Sequence, residues 1–600
     1  MSVPKAAIPS LILHGTDHSS VNAKEVVFGW FSKLEKVIES GSYDRKDDIF
    51  LNDSWWRDVV TLSWAIRCLH GDQITECLKQ AHEVKLSDLK PATSGVLVPQ
   101  LVDMGPFTLV ETAFTFQTKY GSGSGYLRLG NTAPGTWKAW IILTKLEELR
   151  GYEELHKLSA GPNWSSPSDD AKYESMSQQR PRVLIIGAGH SGLSLCARLK
   201  QLGVPALLVD KLSRVGESWR RRYMNLTLHD PIWENHMPYL KFPETFPTWV
   251  PRKQIADWLE HYQAIMQLPI RLNTTVTDAK WDGKEKLWTV HLEKDGTQTF
   301  LKVAHVVLAT GFHSDTPYVP PFEGLEEFRG PIVHSTQYKT ASEVPDYESK
   351  RWIVIGSSSS GQDIAQDLAE AGADVTMLQR DANMIYSLNS KVNVVGAAYC
   401  KPGISTSEAD ILAASMPIPV AATLMVGATQ MIYQMDKELL DRVGKSEFKF
   451  LTGVDGRGLL DLILTKGGGH YPDQGSLKYI ADGTIKVKQC YDGIKRLTSK
   501  GVVLADGREI EGDAIVMATG YMHADHTLRK VFGDDFVEKS VFGGNIVKDN
   551  ELVGLFTCIG HPGAWFMAGS FAFNRPGSLN LALQIKAVEV GLNPAHYAST

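Results

Sequence analysis

The sequence predicts an α/β protein in which two units with doubly wound parallel sheets follow a separate α+β unit. Three observations carry this expectation. Two patterns of strand, turn, helix and strand, at 182–210 and 351–380, each begin with a short apolar run of buried-strand type and a glycine-bounded turn. The stretch from Lys157 to Arg180 is rich in Ser, Pro, Asp and Gln, the composition of a linker. Ahead of it, residues 1–155 pass from helical patterns to strands with Gly- and Asn-rich turns between them.

A chain of 600 residues is too long for one hydrophobic core, so several domains are expected. Apolar residues make up 43% and charged residues 22%, the balance of a packed globular protein. A net charge of -6, with no basic block able to track phosphates, excludes nucleic acid as an expected partner. The six cysteines lie without C-x-x-C or zinc-like spacing, which points to a reducing compartment and to no metal site. Met1 to Ser20 lacks the basic, apolar and small-residue succession of a leader, so the expected location is cytoplasmic. Ile411 to Met435 carries no charge and is long enough to cross a bilayer. Pro417 and Pro419 interrupt it, and Ser415, Thr423, Thr429 and Gln430 dilute it, so a buried helix lining a substrate channel is expected and a membrane span is not.

Within residues 1–155, Trp55 to His70 and Gln73 to His82 read as helices. Val96 to Val102, Phe107 to Tyr120, Tyr126 to Leu129 and Trp137 to Leu143 read as strands. Helices preceding an antiparallel sheet resemble an NTF2-like (SnoaL-like) domain. Trp55, Trp56 and Trp64 are candidates to line a pocket, although such aromatics more often fill a core.

The first turn is Gly187-Ala188-Gly189-His190-Ser191-Gly192, after the apolar run Arg182 to Ile186 and before a helical pattern. Gly187 permits a tight turn, Gly189 lets the backbone approach a pyrophosphate, and Gly192 permits close packing of helix on strand. Asp210 ends the next strand, 18 residues after Gly192, where a carboxylate accepts hydrogen bonds from a ribose diol. The second turn is Gly356-Ser357-Ser358-Ser359-Ser360-Gly361, with Ser358 where a middle glycine usually stands. Its following strand ends at Gln379-Arg380, and an arginine there suits the 2′-phosphate of NADP. Both are Rossmann-like dinucleotide-binding units, and the simplest pair of cofactors is FAD with NADPH. Two further strands, each running into Ala-Thr-Gly, bring Gly311 and Gly520 back toward the cofactors. The expected division is 1–155, a linker at 156–180, an FAD domain at 181–345 and 486–600, and an NADP domain with a helical insertion at 346–485.

Between the two turns, Phe328-Arg329-Gly330-Pro331-Ile332-Val333-His334-Ser335-Thr336-Gln337-Tyr338 resembles the FxGxxxHxxxY signature of flavin-containing monooxygenases. Gly216 and Trp219 resemble the family's GGxW segment, with Val215 in place of its first glycine. Arg221 to Tyr262, Gly560 to Phe566 and Ala582 to Ala587 are similar to the fungal and YUCCA-like branches. The resemblance spans about 180–590 and leaves the first unit outside. It implies that NADPH reduces FAD and that a C4a-hydroperoxyflavin then oxygenates a small organic substrate at nitrogen or sulfur, or oxidatively decarboxylates a 2-oxo acid. It implies further that His229, which stands where animal members carry an asparagine, lies beside the flavin, and that His334 is structural. Tyr471, Asp473, Asn574 and Arg575 are candidates to touch substrate, with surface-loop polarity an equal explanation. The alternatives are a Baeyer-Villiger enzyme acting on a ketone, a disulfide reductase, which the absence of C-x-x-C opposes, and a non-enzymatic binding protein built on a flavin fold.

Overall fold

The computed structural model describes residues 3–8, 21–103, 108–133, 135–154, 167–541 and 547–594. The first unit is a seven-stranded mixed sheet with two helices on one face. Its strands are Phe50–Val59 (β1), Ile66–His70 (β2), Ser87–Pro91 (β3), Gln100–Asp103 (β4), Thr108–Gln117 (β5), Ser122–Ala133 (β6) and Thr136–Leu146 (β7). They run in the order β2, β1, β7, β6, β5, β3, with β4 on β5, and only β1 against β7 is parallel. Helices Ala23–Ser40 (α1) and Ile74–Glu83 (α2) bury Trp30, Phe31, Leu34, Cys77 and Leu78 against Trp56, Phe114 and Leu127 of the sheet. Trp55 and Trp56 are both buried, so neither lines an open pocket.

Trp55 to His70 is not a helix. It is the β1–β2 hairpin, with Trp55 opposite His70 and Val59 opposite Ile66. Its Trp, Val, Thr and Ile residues favour a pleated surface over a helix, where branching at Cβ crowds the preceding turn. Asp58 closes the hairpin, accepting from the Thr61 and Leu62 amides at 3.1 and 2.8 Å and pairing with Arg67 at 2.9 Å. The linker reading of 156–180 also needs correction in its second half. Pro167–Gln179 (α3) is a helix tied down by Tyr173, whose hydroxyl donates to the Val204 carbonyl at 3.0 Å, and by Arg271, which donates to the Gln178 side chain at 3.1 Å. Its polar composition disguised a helix held by few contacts.

The first parallel sheet contains Val183–Ile186 (β8), Ala206–Val209 (β9), Ile270–Arg271 (β10) and His305–Leu308 (β11) in the order β10, β9, β8, β11, followed by Ala564–Phe566. Helix His190–Gln201 (α4) follows the first glycine turn, and Arg252–Ile265 (α5) packs nearby. The second parallel sheet contains Ile332–His334 (β12), Arg351–Ile355 (β13), Asp374–Gln379 (β14), Ile485–Gln489 (β15) and Ala514–Met517 (β16), in the order β12, β16, β13, β14, β15. The expected boundaries at 345 and 486 are therefore displaced. β12 and β16 belong to the second sheet, because parallel strands pair across long crossovers and not with their neighbours in sequence.

Helix Ser359–Glu370 (α6) follows the second turn. The apolar stretch at 411–435 divides into the end of Thr406–Ala414 (α7) and Ile418–Met435 (α8), which meet at 102° just before Pro417 and Pro419. Among the described residues no single helix is long and apolar enough to cross a membrane. The expectation of a buried helix holds for one face of α8 alone. Val420 packs with Trp55 and Trp140 of the first unit and Ile432 with Met384 and Leu462, while Met431 and Met435 are exposed. The last helix, Phe571–Glu589 (α9), returns to α4 in the first parallel unit.

Candidate active site

The two glycine turns are built alike. Gly187 has φ +106° and Gly356 φ +116°, conformations that an L side chain resists. A Cβ on Gly187 would meet the Ala309 carbonyl oxygen at 2.7 Å, and one on Gly356 the Ala518 carbonyl oxygen at 2.5 Å. Each turn thus lies against its own Ala-Thr-Gly return. A Cβ on Gly192 would collide with the Gly187 carbonyl, and one on Gly361 with the Gly356 carbonyl, so both glycines close a helix onto its turn. The middle positions differ from these. Gly189 (φ -75°, ψ -178°) and Ser358 (φ -84°, ψ -173°) share an extended backbone open to any residue. A Cβ on Gly189 meets nothing within 4 Å, and Gly311 and Gly520 have no close neighbour either. Ser358 fills its place and accepts from the Gly469 amide at 3.2 Å, while Ser359 donates to the His470 carbonyl at 3.1 Å.

These cradles fit two dinucleotides on two grounds. Space is kept at Gly189 and Gly311 of the first and at Gly520 of the second, where Ser358 occupies the middle position, and the first amides of α4 and α6, around Ser191 and Ser359, have no partner within their helices. Asp210 is already engaged, accepting from the Ala188 amide and the Leu212 amide, each at 2.8 Å, so it braces the turn and offers its remaining lone pairs outward. Arg380 follows β14 with 74% of its side chain exposed and Asp381 at 3.5 Å. Gly216 has φ +80° and no free space, since a Cβ would strike the backbone of Ala256 on α5. Its requirement is packing. Trp219 is partly buried against the hydrophobic clusters of both nucleotide units.

The FxGxxxHxxxY residues pack within the second nucleotide unit. A Cβ on Gly330 would overlap the Asp513 carbonyl, His334 ends β12 with Nδ1 3.0 Å from the Thr336 hydroxyl, and the Tyr338 hydroxyl donates to Asp367 of α6 at 2.5 Å. Nε2 of His334, like that of His229, is buried without a hydrogen-bond partner.

The loop 228–236 bridges the cradles. His229 lies with Nε2 3.6 Å from Asp363, which sits two residues past Gly361, and its ring meets the Tyr471 ring edge-on. That Nε2 is buried without a hydrogen-bond partner. On the other side Arg575 of α9 donates to the carbonyls of Glu234 and His236 at 2.9 and 2.7 Å. At the start of α9, the Gly569 carbonyl lies 2.8 Å from Nε2 of His190 in the first turn, and that imidazole stacks on Phe571.

Beneath the loop, Lys391 is shared by two carboxylates, Asp230 at 2.9 Å and Glu234 at 3.1 Å. Arg575, held by Asp410 at 2.6 Å, acts on Glu234 as a weaker second cation than Lys391. Burial accordingly pushes the Glu234 carboxyl up to about 7, with Lys391 pulling it down in part and Asp230 pushing it further up. Asp230 goes the other way: burial pushes it up, but Lys391 prevails and holds it below the ordinary value. Burial also lowers His470 to about 4 despite the nearby Asp230. Lys391 opens a single π-helical stretch, Lys391–Val395, of the kind that often marks functional sites.

Tyr471 and Asn574 are fully buried and Arg575 nearly so, so surface polarity does not explain them. Asp473 caps the following helix through the Gly475 and Leu477 amides. Sequence reasoning missed Lys391, Glu234 and Asp410. The only available signal was charge inside otherwise apolar or aromatic runs.

A chain with two such cradles facing one loop belongs structurally with the two-nucleotide oxidoreductases, and residues 184–403 match the family model described as pyridine nucleotide-disulphide oxidoreductase. The cysteines within that segment, Cys196 and Cys400, are unpaired. An indole-3-pyruvate monooxygenase, YUCCA1, of Oryza sativa subsp. japonica is 30% identical over 60% of this chain and 82% of its own length. A probable indole-3-pyruvate monooxygenase, YUCCA7, of Arabidopsis thaliana is 32% identical over 56% and 73%. The chain belongs to the flavin monooxygenase family, oxidoreductases that use FAD, NADPH and O2. Among solved structures, a flavin-containing monooxygenase from Stenotrophomonas maltophilia covers 68% of this chain and 98% of its own, at 18% identity and a TM-score of 0.46. A cyclohexanone monooxygenase covers 69% and 87%, at 18% and 0.49.

Proposed function

We propose that this chain holds FAD at the first cradle and NADPH at the second, and oxygenates a small organic substrate over the loop 228–236. The observation that carries the reading is the duplicated turn, Gly187 on Ala309 and Gly356 on Ala518, with the loop 228–236 meeting the second unit at Asp363 and, on its other side, Arg575 of α9, whose start lies against His190 of the first turn. FAD would supply two-electron redox chemistry and activation of O2, and NADPH the hydride. The amides around Ser191 and the lone pairs of Asp210 would take the FAD pyrophosphate and ribose, with Gly189 and Gly311 leaving the space. Ser359, Gly520 and Arg380 would do the same for NADPH, the guanidinium taking its 2′-phosphate.

His229 is the candidate catalytic residue: its Nε2, 3.6 Å from Asp363 and without a hydrogen bond, would donate to a reacting oxygen. Arg575 and the packed α9 keep water from the loop. Oxygenation at nitrogen or sulfur remains the broad reading. The YUCCA relatives, named for indole-3-pyruvate, favour including 2-oxo acids. For the first unit we propose an NTF2-like (SnoaL-like) fold, supported by helices α1 and α2 on one face of a mixed sheet.

The test is anaerobic mixing of the purified flavoprotein with NADPH, followed by O2 and a panel of amines, thioethers, ketones and 2-oxo acids. Bleaching of the flavin by NADPH and oxygenated product from one class are expected. A bound flavin that NADPH never bleaches would falsify the reading.

A further inference from the structure

The first unit lies outside the two cradles, yet it grips the helix that braces their shared loop. At the start of α7, Glu408 accepts from the Val96 amide of the first unit at 2.9 Å. At its end, Arg57 of β1 donates to the Ala414 carbonyl at 2.5 Å and Arg128 of β6 donates to the Ser415 hydroxyl at 2.8 Å. Both arginines are themselves fixed. Arg57 pairs with Glu551 at 2.6 Å, and Arg128 with Glu111 at 3.0 Å. Arg128 and Glu111 are almost fully buried, and the Tyr126 hydroxyl adds a second contact to Glu111 at 2.6 Å.

Between those two grips α7 presents Asp410. Its carboxylate takes Nε and Nη2 of Arg575 at 2.8 and 2.6 Å, and the Tyr399 hydroxyl at 2.8 Å. The remaining arm of Arg575 holds the Glu234 and His236 carbonyls. A bidentate guanidinium–carboxylate pair fixes orientation as well as distance, so a shift of α7 is passed to the loop and not absorbed by a flexible side chain.

We propose that the first unit is a positioning domain for oxygenation: through α7 it holds Asp410 against Arg575, and so sets how tightly the loop 228–236 closes over the reaction site. This rests on the flavin monooxygenase reading. The quantity it governs is the partition of reducing equivalents. Productive turnover converts NADPH, H+, O2 and substrate into NADP+, oxygenated substrate and water. Leakage converts NADPH, H+ and O2 into NADP+ and H2O2. Both draw two electrons from NADPH per O2, the productive route taking two more from the substrate, and a loosened loop favours the second.

The experiment uses the full-length flavoprotein, a substrate it accepts, and the double variant Arg57→Ala with Arg128→Ala. Flavin content and the anaerobic rate of reduction by NADPH are expected to match wild type, because neither residue approaches a cradle. The ratio of H2O2 to product is expected to rise roughly 2- to 30-fold, the range for perturbing a packed coupling network. Arg57→Lys serves if the double variant does not fold, since an ammonium reaches Glu551 but not Glu551 and the Ala414 carbonyl together. Asp410→Asn should raise the ratio similarly, and combining it with Arg57→Lys should add little. A folded variant reduced at the wild-type rate with an unchanged ratio overturns the positioning role. Wild-type flavin that NADPH fails to reduce overturns the monooxygenase reading itself, a result visible before any variant is made.

Discussion

Individual residues in the two turns separate space from conformation. Gly189→Ala should fold with wild-type stability, since nothing lies within 4 Å of the new Cβ, yet be isolated with little flavin. Gly192→Ala, three residues further on, should instead lower the melting temperature, because its Cβ meets the Gly187 carbonyl. Flavin absorbance and thermal melts of both variants check the pair, and equal behaviour would remove the distinction. Arg380→Ala should raise the KM for NADPH by roughly 10- to 100-fold and leave that for NADH nearly unchanged, the loss expected of one charge-assisted contact. These positions were legible because a turn needs particular residues in order. Lys391, 155 residues or more from its carboxylates, was not, since only the folded chain brings it to Asp230 and Glu234. Lys391→Met should destabilise the protein by about 3–5 kcal/mol in chemical denaturation, as two buried carboxylates lose their shared cation. Glu234 carries a pH signature. Its folded value lies near 7, above the ordinary 4.5, so its contribution to stability is complete below about pH 4.5 and is lost as pH rises through 7. Glu234→Gln should flatten that part of the stability profile.

Whole elements show where sequence patterns mislead. The first and second parallel sheets follow from apolar runs beside glycine turns, and these strands fall where periodicity puts them. The β1–β2 hairpin was hidden because its two strands together are as long as a helix and are joined by a turn without glycine or proline. What closes that turn is Asp58, a side chain accepting the backbone amides that Gly or Asn would otherwise arrange. Asp58→Ala should therefore cost on the order of 3 kcal/mol, by stranding those amides and Arg67. A thermal melt unchanged from wild type would show that the turn holds itself. The α7–α8 stretch was also read as one helix at 411–435, although Pro417 at the bend was already visible.

At the scale of the molecule, one hydrophobic cluster runs from the first unit into the first parallel unit. Val59, Val60, Leu97, Tyr126 and Leu143 share it with Leu184, Leu207 and Leu583. Nothing in the sequence announced this, because a sheet with two buried faces reads as simply apolar. A chain beginning at residue 167 keeps both cradles but exposes that surface, and it should aggregate or melt well below the full protein. A soluble truncated flavoprotein melting at the same temperature would show the units to be energetically separate.

The order of strands in the first parallel sheet has a consequence for biosynthesis. β8, β9, β10 and β11 are complete once residue 308 is made, but their neighbour at 564–566 and the covering helix α9 come only near the end of the chain. At ribosomal speeds that leaves β11 with a bare edge for on the order of ten to fifty seconds, while the second sheet is still being synthesised. An open edge of apolar parallel strand is a template for pairing with other chains. Expression at lower temperature or with chaperones should therefore raise the soluble yield of this protein more than any single stabilising substitution.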